Sequence, residues 1–96
     1  MRRAPKIDAN QPAIVAALRK VGAQVFSLAG AANGIPDLLC SHRGVTVLLE
    51  VKDGTLAPSR RQLTDDQVKF HAEWNGGPLF IVNSVSEALA AIGVGA

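Results

Sequence analysis

The sequence predicts an α/β fold in which helices cover a small mixed sheet. Apolar residues recur at helical spacing near the N-terminus, at Ile14, Val15, Leu18 and Val21. Residues 45–52 are β-branched and apolar on both faces, which is typical of a strand in the centre of a covered sheet. Capping motifs predict two further helices, so the elements follow one another as α-β-β-β-α-β-α.

The first helix is bounded by recognisable start and stop residues. Asp8 or Asn10 can cap its N-terminus, and Pro12 suits its first turn. Gly22 ends the helix because glycine readily takes the left-handed conformation of a C-terminal cap. A strand is predicted at 24–28, and a loop of small residues follows it.

A hairpin is predicted next. Residues 36–42 form one strand and residues 45–52 form the other, joined by a tight turn at Arg43 and Gly44. His42 lies beside this turn, and we expect it to be exposed.

The C-terminal half contributes two helices and one strand. We predict a helix at 64–74, a short apolar strand at 79–83 and a last helix at 84–92. Each helix begins with a capping box, formed by Thr64 with Gln67 and by Ser84 with Glu87.

Length and composition indicate one small folded domain. The chain has 96 residues, of which 48% are hydrophobic and 19% are charged, so we interpret 1–96 as a single globular domain. Residues 1–7 are interpreted as a flexible basic arm. The net charge of +2 and the pI of about 9.1 are compatible with a polyanionic partner but do not require one.

The single cysteine, Cys40, excludes a disulfide within the chain and a zinc site made of several cysteines. A buried thiol in a reducing, intracellular setting is the simplest interpretation. Arg19 and Lys20 interrupt the most apolar N-terminal stretch. We therefore predict neither a signal peptide nor a membrane-spanning helix.

The hairpin gathers charged residues. If Arg43 and Gly44 form a two-residue turn, Asp37 lies directly opposite Glu50, with Cβ atoms about 5 Å apart. Lys52 follows Glu50 by two residues and points to the same face of the sheet. A three-residue turn would instead offset Asp37 by one position.

Opposed carboxylates in a sheet repel each other, and a divalent cation would relieve that repulsion. The oxygen ligands of Asp37 and Glu50 suit Mg²⁺ or Mn²⁺, with the backbone carbonyl of Val51 as an additional ligand. Lys52 would then orient or deprotonate an attacking water. From the residues alone, two other interpretations stay open. Glu50 and Lys52 can be a surface ion pair, and Asp37 can be a turn residue.

The motifs Gly-Ile-Pro-Asp-Leu-Leu at 34–39 and Leu-Glu-Val-Lys at 49–52 resemble the signature of PD-(D/E)XK nucleases. More narrowly, the chain resembles the VRR-NUC family, including its small stand-alone members from phages and bacteria. The resemblance implies a restriction-endonuclease-like αβββαβα core, a Mg²⁺ or Mn²⁺ cofactor and cleavage of DNA phosphodiesters. It also implies the cytoplasm of a bacterial or phage-infected cell as the location.

The resemblance implies roles for individual residues. Asp37 and Glu50 would bind the metal, and Lys52 and Gln67 would act in catalysis. Gln67 is also the capping residue of its helix, and the two roles are compatible. One position departs from the family pattern, because Gln11 stands where the family has a metal-binding glutamate. This neutral, weaker ligand could reduce affinity for a second metal, slow turnover or mark an inactive or engineered variant.

Two residues of the 64–74 helix have simpler interpretations than catalysis. We interpret His71, one turn after Gln67, as a packing or solvent-facing histidine. We interpret Trp74 as a core or dimer-interface residue.

The predicted function is metal-dependent DNA endonuclease activity, selective for branched DNA such as a Holliday junction and exerted by a homodimer. Candidate phosphate contacts lie in the loop after Lys52 and in the N-terminal arm, namely Arg60, Arg61, Arg2, Arg3 and Lys6. One alternative is a catalytically weakened or inactive DNA-binding module of the same fold. Another is a structural or assembly protein in which the charged residues coincide by chance.

Overall fold

The computed structural model describes residues 7–95. The candidate phosphate contacts Arg2, Arg3 and Lys6, and most of the predicted arm, lie outside the described residues. Three helices and four strands follow one another in the predicted order: α1 (Gln11–Lys20), β1 (Gln24–Ser27), β2 (Leu38–His42), β3 (Val45–Val51), α2 (Asp65–Glu73), β4 (Leu79–Val82) and α3 (Val85–Ala91). A short 3-10 turn, Pro58–Arg60, lies between β3 and α2.

The four strands form one mixed sheet in the order β1-β2-β3-β4. The first three strands are antiparallel neighbours, whereas β3 and β4 are parallel. The parallel pair requires a crossover connection, and the loop with α2 supplies it. The predicted fold class, a small mixed sheet flanked by helices in αβββαβα order, is confirmed.

The β2–β3 hairpin has the predicted two-residue turn. Arg43 and Gly44 have φ angles of 50° and 81°. Positive φ at both central residues matches the twist of the flanking strands. The register runs from Leu38 opposite Leu49 to His42 opposite Val45.

The core fills one face of the sheet, which α1 and α3 cover. Side chains from all four strands and both helices pack there and are almost fully buried: Ile14, Leu18, Val25, Leu38, Cys40, Val47, Leu49, Val51, Val82 and Ala88. The other face carries a row of apolar side chains across the sheet that is half-buried or exposed, formed by Phe26, Leu39, Leu48 and Leu79. Between residues 7 and 95, no helix is long and apolar enough to cross a membrane.

His42 is buried, with 9% of its surface exposed, so the prediction of an exposed side chain was wrong. Strand alternation explains the error, because residue 42 points to the same face as Leu38 and Cys40. That face is the covered one. Proximity to the turn is less important than the direction of the side chain.

The start of α1 also differs from the prediction. Asn10 occupies the N-cap position, but its side chain makes no capping hydrogen bond. Its Nδ2 instead donates to the carbonyl oxygens of Lys52 at 3.0 Å and Asn83 at 3.2 Å. Asn10 therefore ties the start of α1 to the ends of β3 and β4.

Of the two capping boxes, the one on α2 is complete and the one on α3 is half formed. The Glu87 amide donates to Ser84 Oγ at 3.1 Å, as predicted. The Glu87 carboxylate, however, accepts from the backbone and side chain of Asn83 instead of the Ser84 amide. Trp74 is 39% exposed and stacks on Phe70 at 5.3 Å, so it is not a core residue.

Candidate active site

The hairpin register brings Asp37 and Glu50 together. Asp37 lies one residue before β2, and its Oδ2 accepts a hydrogen bond from the Val51 amide at 2.7 Å. Its carbonyl oxygen accepts from the Leu28 amide at 2.7 Å. These bonds fix the aspartate between β1 and β3. Glu50, in β3, is 1% exposed.

The Glu50 carboxyl is held in an environment that disfavours its charge. Burial is the largest cause, followed by the hydrogen bond and the negative charge that it shares with Asp37, and together they raise its pKa to about 9. The positive charge of Lys52 acts in the opposite direction and is smaller in effect. A buried acid beside another acid is a costly arrangement that stability alone does not explain.

Gln67 connects Glu50 of β3 with Lys52, the residue that follows this strand. Its Oε1 accepts from Lys52 Nζ at 3.0 Å, and its Nε2 donates to Glu50 Oε2 at 3.1 Å. The same Oε1 accepts from the Thr64 amide at 2.9 Å, which completes the capping box of α2. Two donors on one oxygen fix the orientation of the amide. The predicted capping and active-site positions of Gln67 therefore coincide.

The Gly34 loop packs directly on the start of α2. Gly34 has a φ of +75°, and a Cβ on it would lie 2.3 Å from the carbonyl oxygen of Asp66 and 2.7 Å from the Gln67 nitrogen. Only glycine allows this approach and this conformation. Gly34, two residues before the Pro36-Asp37 pair, thus brings the Asp37 segment against the helix that carries Gln67.

Comparisons with known proteins identify the fold that carries these residues. No protein-family model matches the sequence, and no curated protein matches it. A solved structure described as a VRR_NUC domain superimposes with a TM-score of 0.60 at 25% sequence identity, over 90% of this chain and 97% of the other. The chain has the fold of a VRR-NUC domain. Its fold is that of a nuclease-type domain with a restriction-endonuclease-like core.

The acidic pair of this VRR-NUC domain fits a divalent cation. Glu50 Oε1 is buried and receives no hydrogen bond, although the other oxygen binds Gln67. Two carboxylates with water are a sufficient set for Mg²⁺, which keeps much of its hydration shell. Among residues 7–95, no group of three or more His, Cys, Asp and Glu side chains forms a metal site. The fit therefore rests on a pair of acids.

Gln11, the first residue of α1, and Asp8, three residues before it, are also relevant to the site. Gln11 is 4% exposed and its Oε1 is buried without a partner. Its side chain lines a groove that shares Ala29 with the cleft beside Asp37. Asp8 was interpreted only as a helix cap, yet its negative charge also raises the pKa of Glu50. Chain folding, and no local motif, brings this third acid near the site.

A cleft of about 390 Å³ opens beside Asp37 and Gln67 in the VRR-NUC domain. Its walls are the loop between residues 28 and 35 and the first turn of α2. Of the predicted phosphate contacts in the next loop, Arg60 is exposed. The Arg61 guanidinium donates to the Leu56 carbonyl at 3.1 Å and is half-buried.

Proposed function

We propose that this chain is a Mg²⁺- or Mn²⁺-dependent endonuclease that hydrolyses DNA phosphodiesters. The observation that carries the proposal is the buried carboxyl of Glu50, paired with Asp37 and linked to Lys52 through Gln67. Such a group destabilises a fold unless a cation replaces the proton that it retains. The VRR-NUC fold supports the same conclusion.

Asp37 and Glu50 would hold the cation, with the Val51 carbonyl and Gln11 Oε1 as candidate additional ligands. Glu50 Oε1 and Gln11 Oε1 are both buried without a hydrogen-bond partner, as is Asn10 Oδ1 at the start of α1. A bound Mg²⁺ or Mn²⁺ would lower the pKa of a water molecule and stabilise charge on the phosphoryl oxygens. Because Gln11 is neutral, the proposed ligand set carries one negative charge fewer than it would with a glutamate at this position.

Lys52 would act on the nucleophile. Its side chain is 12% exposed, and its Nζ lies 3.0 Å from Gln67 Oε1 and 3.9 Å from Glu50 Oε2. An ammonium fixed in this way can orient the attacking water and offset charge on the phosphorus. Among the described residues, no serine, cysteine or tyrosine lines the cleft beside Asp37, so we propose direct attack by water.

The DNA would approach over the cleft and the 53–63 loop. Arg60 is exposed, so it suits a phosphate contact. Arg61 retains further donors beyond the one that binds Leu56. Arg2, Arg3 and Lys6 are proposed as additional contacts from the N-terminal arm. Each such contact should contribute to the salt dependence of binding.

A homodimer would place two sites on a branched substrate such as a Holliday junction. The edge strand β4 supports this arrangement, because Phe80 and Ile81 are 40% and 45% exposed on it. The opposite edge is protected, since Arg19 donates to the Val25 carbonyl of β1 at 2.8 Å. We propose pairing of two β4 edges, in a protein that acts in the cytoplasm of a bacterial or phage-infected cell. Ile81→Lys should convert the dimer to a monomer in sedimentation analysis.

The proposal is tested with four-way-junction, supercoiled and single-stranded DNA, each with Mg²⁺, Mn²⁺ or chelator. Lys52→Met should abolish metal-dependent cleavage. Lys69→Met is the matched control, because it removes an exposed lysine from α2. Gln11→Glu should increase cleavage if the neutral ligand limits the wild-type chain. Activity retained by Lys52→Met would contradict the assigned site.

An inactive DNA-binding module is the second candidate function, and Gln11 is the observation that favours it. Such a module should bind junction DNA in chelator, with salt-sensitive affinity, while Gln11→Glu alone restores cleavage. A structural protein should neither cut nor bind. The same set of samples therefore separates the three functions.

A further inference from the structure

His71 is the described histidine on the same helix as Gln67. It follows Gln67 by four residues, so the two side chains project from the same face of α2. The ring is half-buried, and its Nε2 is buried without a hydrogen-bond partner. An orphaned imidazole nitrogen is unexpected for a solvent-facing residue.

The electrostatic surroundings of the ring contain one important cation. Burial lowers the pKa of His71 first, and the positive charge of Lys52 lowers it further. On α2 itself, Lys69 and Glu73 are two residues from His71 and project from the opposite side of the helix. Strand β4 has no charged residue. Glu50 is hydrogen-bonded to Gln67, which lies one helical turn before His71.

We propose that His71 is a positioning residue for Lys52: its neutral ring allows the ammonium to remain on Gln67 and beside Glu50. This inference rests on the proposed function, because it assigns His71 a part in maintaining that site. A neutral imidazole presents a lone pair to a nearby cation, whereas an imidazolium repels it. A positive charge at position 71 should therefore displace Lys52 from Gln67.

The electrostatic relation between the two residues is measured without any cleavage. The chain has two histidines, so isotope labelling gives two imidazole titrations, and His42 serves as an internal control. In chelator, Lys52→Met should raise the pKa of His71, because the neighbouring positive charge is lost. An unchanged His71 titration would overturn the inference.

The consequence for the reaction is measured with three variants. His71→Lys fixes a positive charge and should lower kcat by about ten-fold or more, with a smaller effect on KM. His71→Gln keeps the position neutral and should retain kcat within about three-fold. Its loss of activity toward acidic pH should also be weaker than that of the wild type. Val68→Lys adds the same charge at an exposed position of α2 and should resemble the wild type.

The outcomes distinguish the two proposals. Equal losses in His71→Lys and His71→Gln would show a structural role and overturn the inference. So would an activity of His71→Lys that equals that of Val68→Lys. If no chain cuts DNA under any condition, the proposed function fails, and the imidazole titration still decides whether His71 and Lys52 interact as argued.

Discussion

Replacing Glu50 by glutamine should stabilise the metal-free protein at neutral pH. Burial and the interactions with Asp37 raise the Glu50 pKa from 4.5 to about 9. Between these values the folded protein binds a proton that the unfolded chain has released. The contribution of the protonated Glu50 to the free energy of unfolding is therefore fully present below pH 4.5. This contribution is lost as the pH rises toward 9. Glutamine resembles the protonated acid, so it can keep the hydrogen bonds to Gln67 and Asp37.

The magnitude follows from the size of the shift. Each pH unit corresponds to about 1.4 kcal/mol, so by about pH 7.5 the wild type should lose about 4 kcal/mol relative to about pH 4.5. Relaxation and water entry would reduce this value, and we expect a measured difference of about 2–4 kcal/mol. Glu50→Gln should lack this loss and be more stable than the wild type by that amount near pH 7.5.

The assay is denaturant unfolding in chelator between about pH 5 and 8, followed by the fluorescence of Trp74. Glu73→Gln, on the exposed side of α2, is the matched control for net charge and should keep the wild-type pH slope. Added Mn²⁺ should stabilise the wild type at the alkaline end by about 3 kcal/mol at 100 times its Kd, and Glu50→Gln much less. A wild-type stability that is flat with pH in chelator would refute the reasoning.

Two further comparisons test the framework around the site. Gly34→Ala should reduce the free energy of unfolding by about 3 kcal/mol or more, because its Cβ would meet the backbone of α2. Gly93→Ala has a similar φ of +81° with no atom within 4 Å, so denaturation should show a loss of only about 1 kcal/mol. Thr64→Ala should cost about 1 kcal/mol of stability and leave cleavage within about three-fold. Gln67→Met should reduce stability by a similar amount. It should also lower cleavage by about ten-fold or more, because the hydrogen bonds of Gln67 to Lys52 and Glu50 are lost. Equal cleavage rates in Thr64→Ala and Gln67→Met would contradict the dual role.

Local rules were sufficient where the interaction is local. The two-residue turn follows from Arg43-Gly44, and the turn fixes the pairing of β2 with β3 through the alternation of a strand. The capping box of α2 follows from the spacing of Thr64 and Gln67. The placement of Asp37 beside Glu50 could therefore be predicted before any tertiary contact was known.

Features that depend on distant segments could not be predicted in the same way. Asn10 is a good helix cap by residue type. In the folded chain its amide instead donates to the carbonyls of Lys52 and Asn83, which directly follow β3 and β4. Asp8 is distant from Glu50 in the sequence, yet its negative charge raises the pKa of Glu50 in the folded chain. The contact of Gly34 with α2 joins segments 32 residues apart. A motif identifies such a glycine without revealing its neighbour.

The shared oxygen of Gln67 makes the assembly of the candidate active site conditional on the folding of α2. The hairpin can bring Asp37 and Glu50 together by itself, since its register depends on a local turn. Lys52, however, gains its acceptor on Gln67 only after the first turn of α2 has formed around Thr64. A partly folded chain would thus carry the acids without a placed lysine. In the proposed nuclease, the acids and the lysine would therefore come together only in a chain whose second helix has folded.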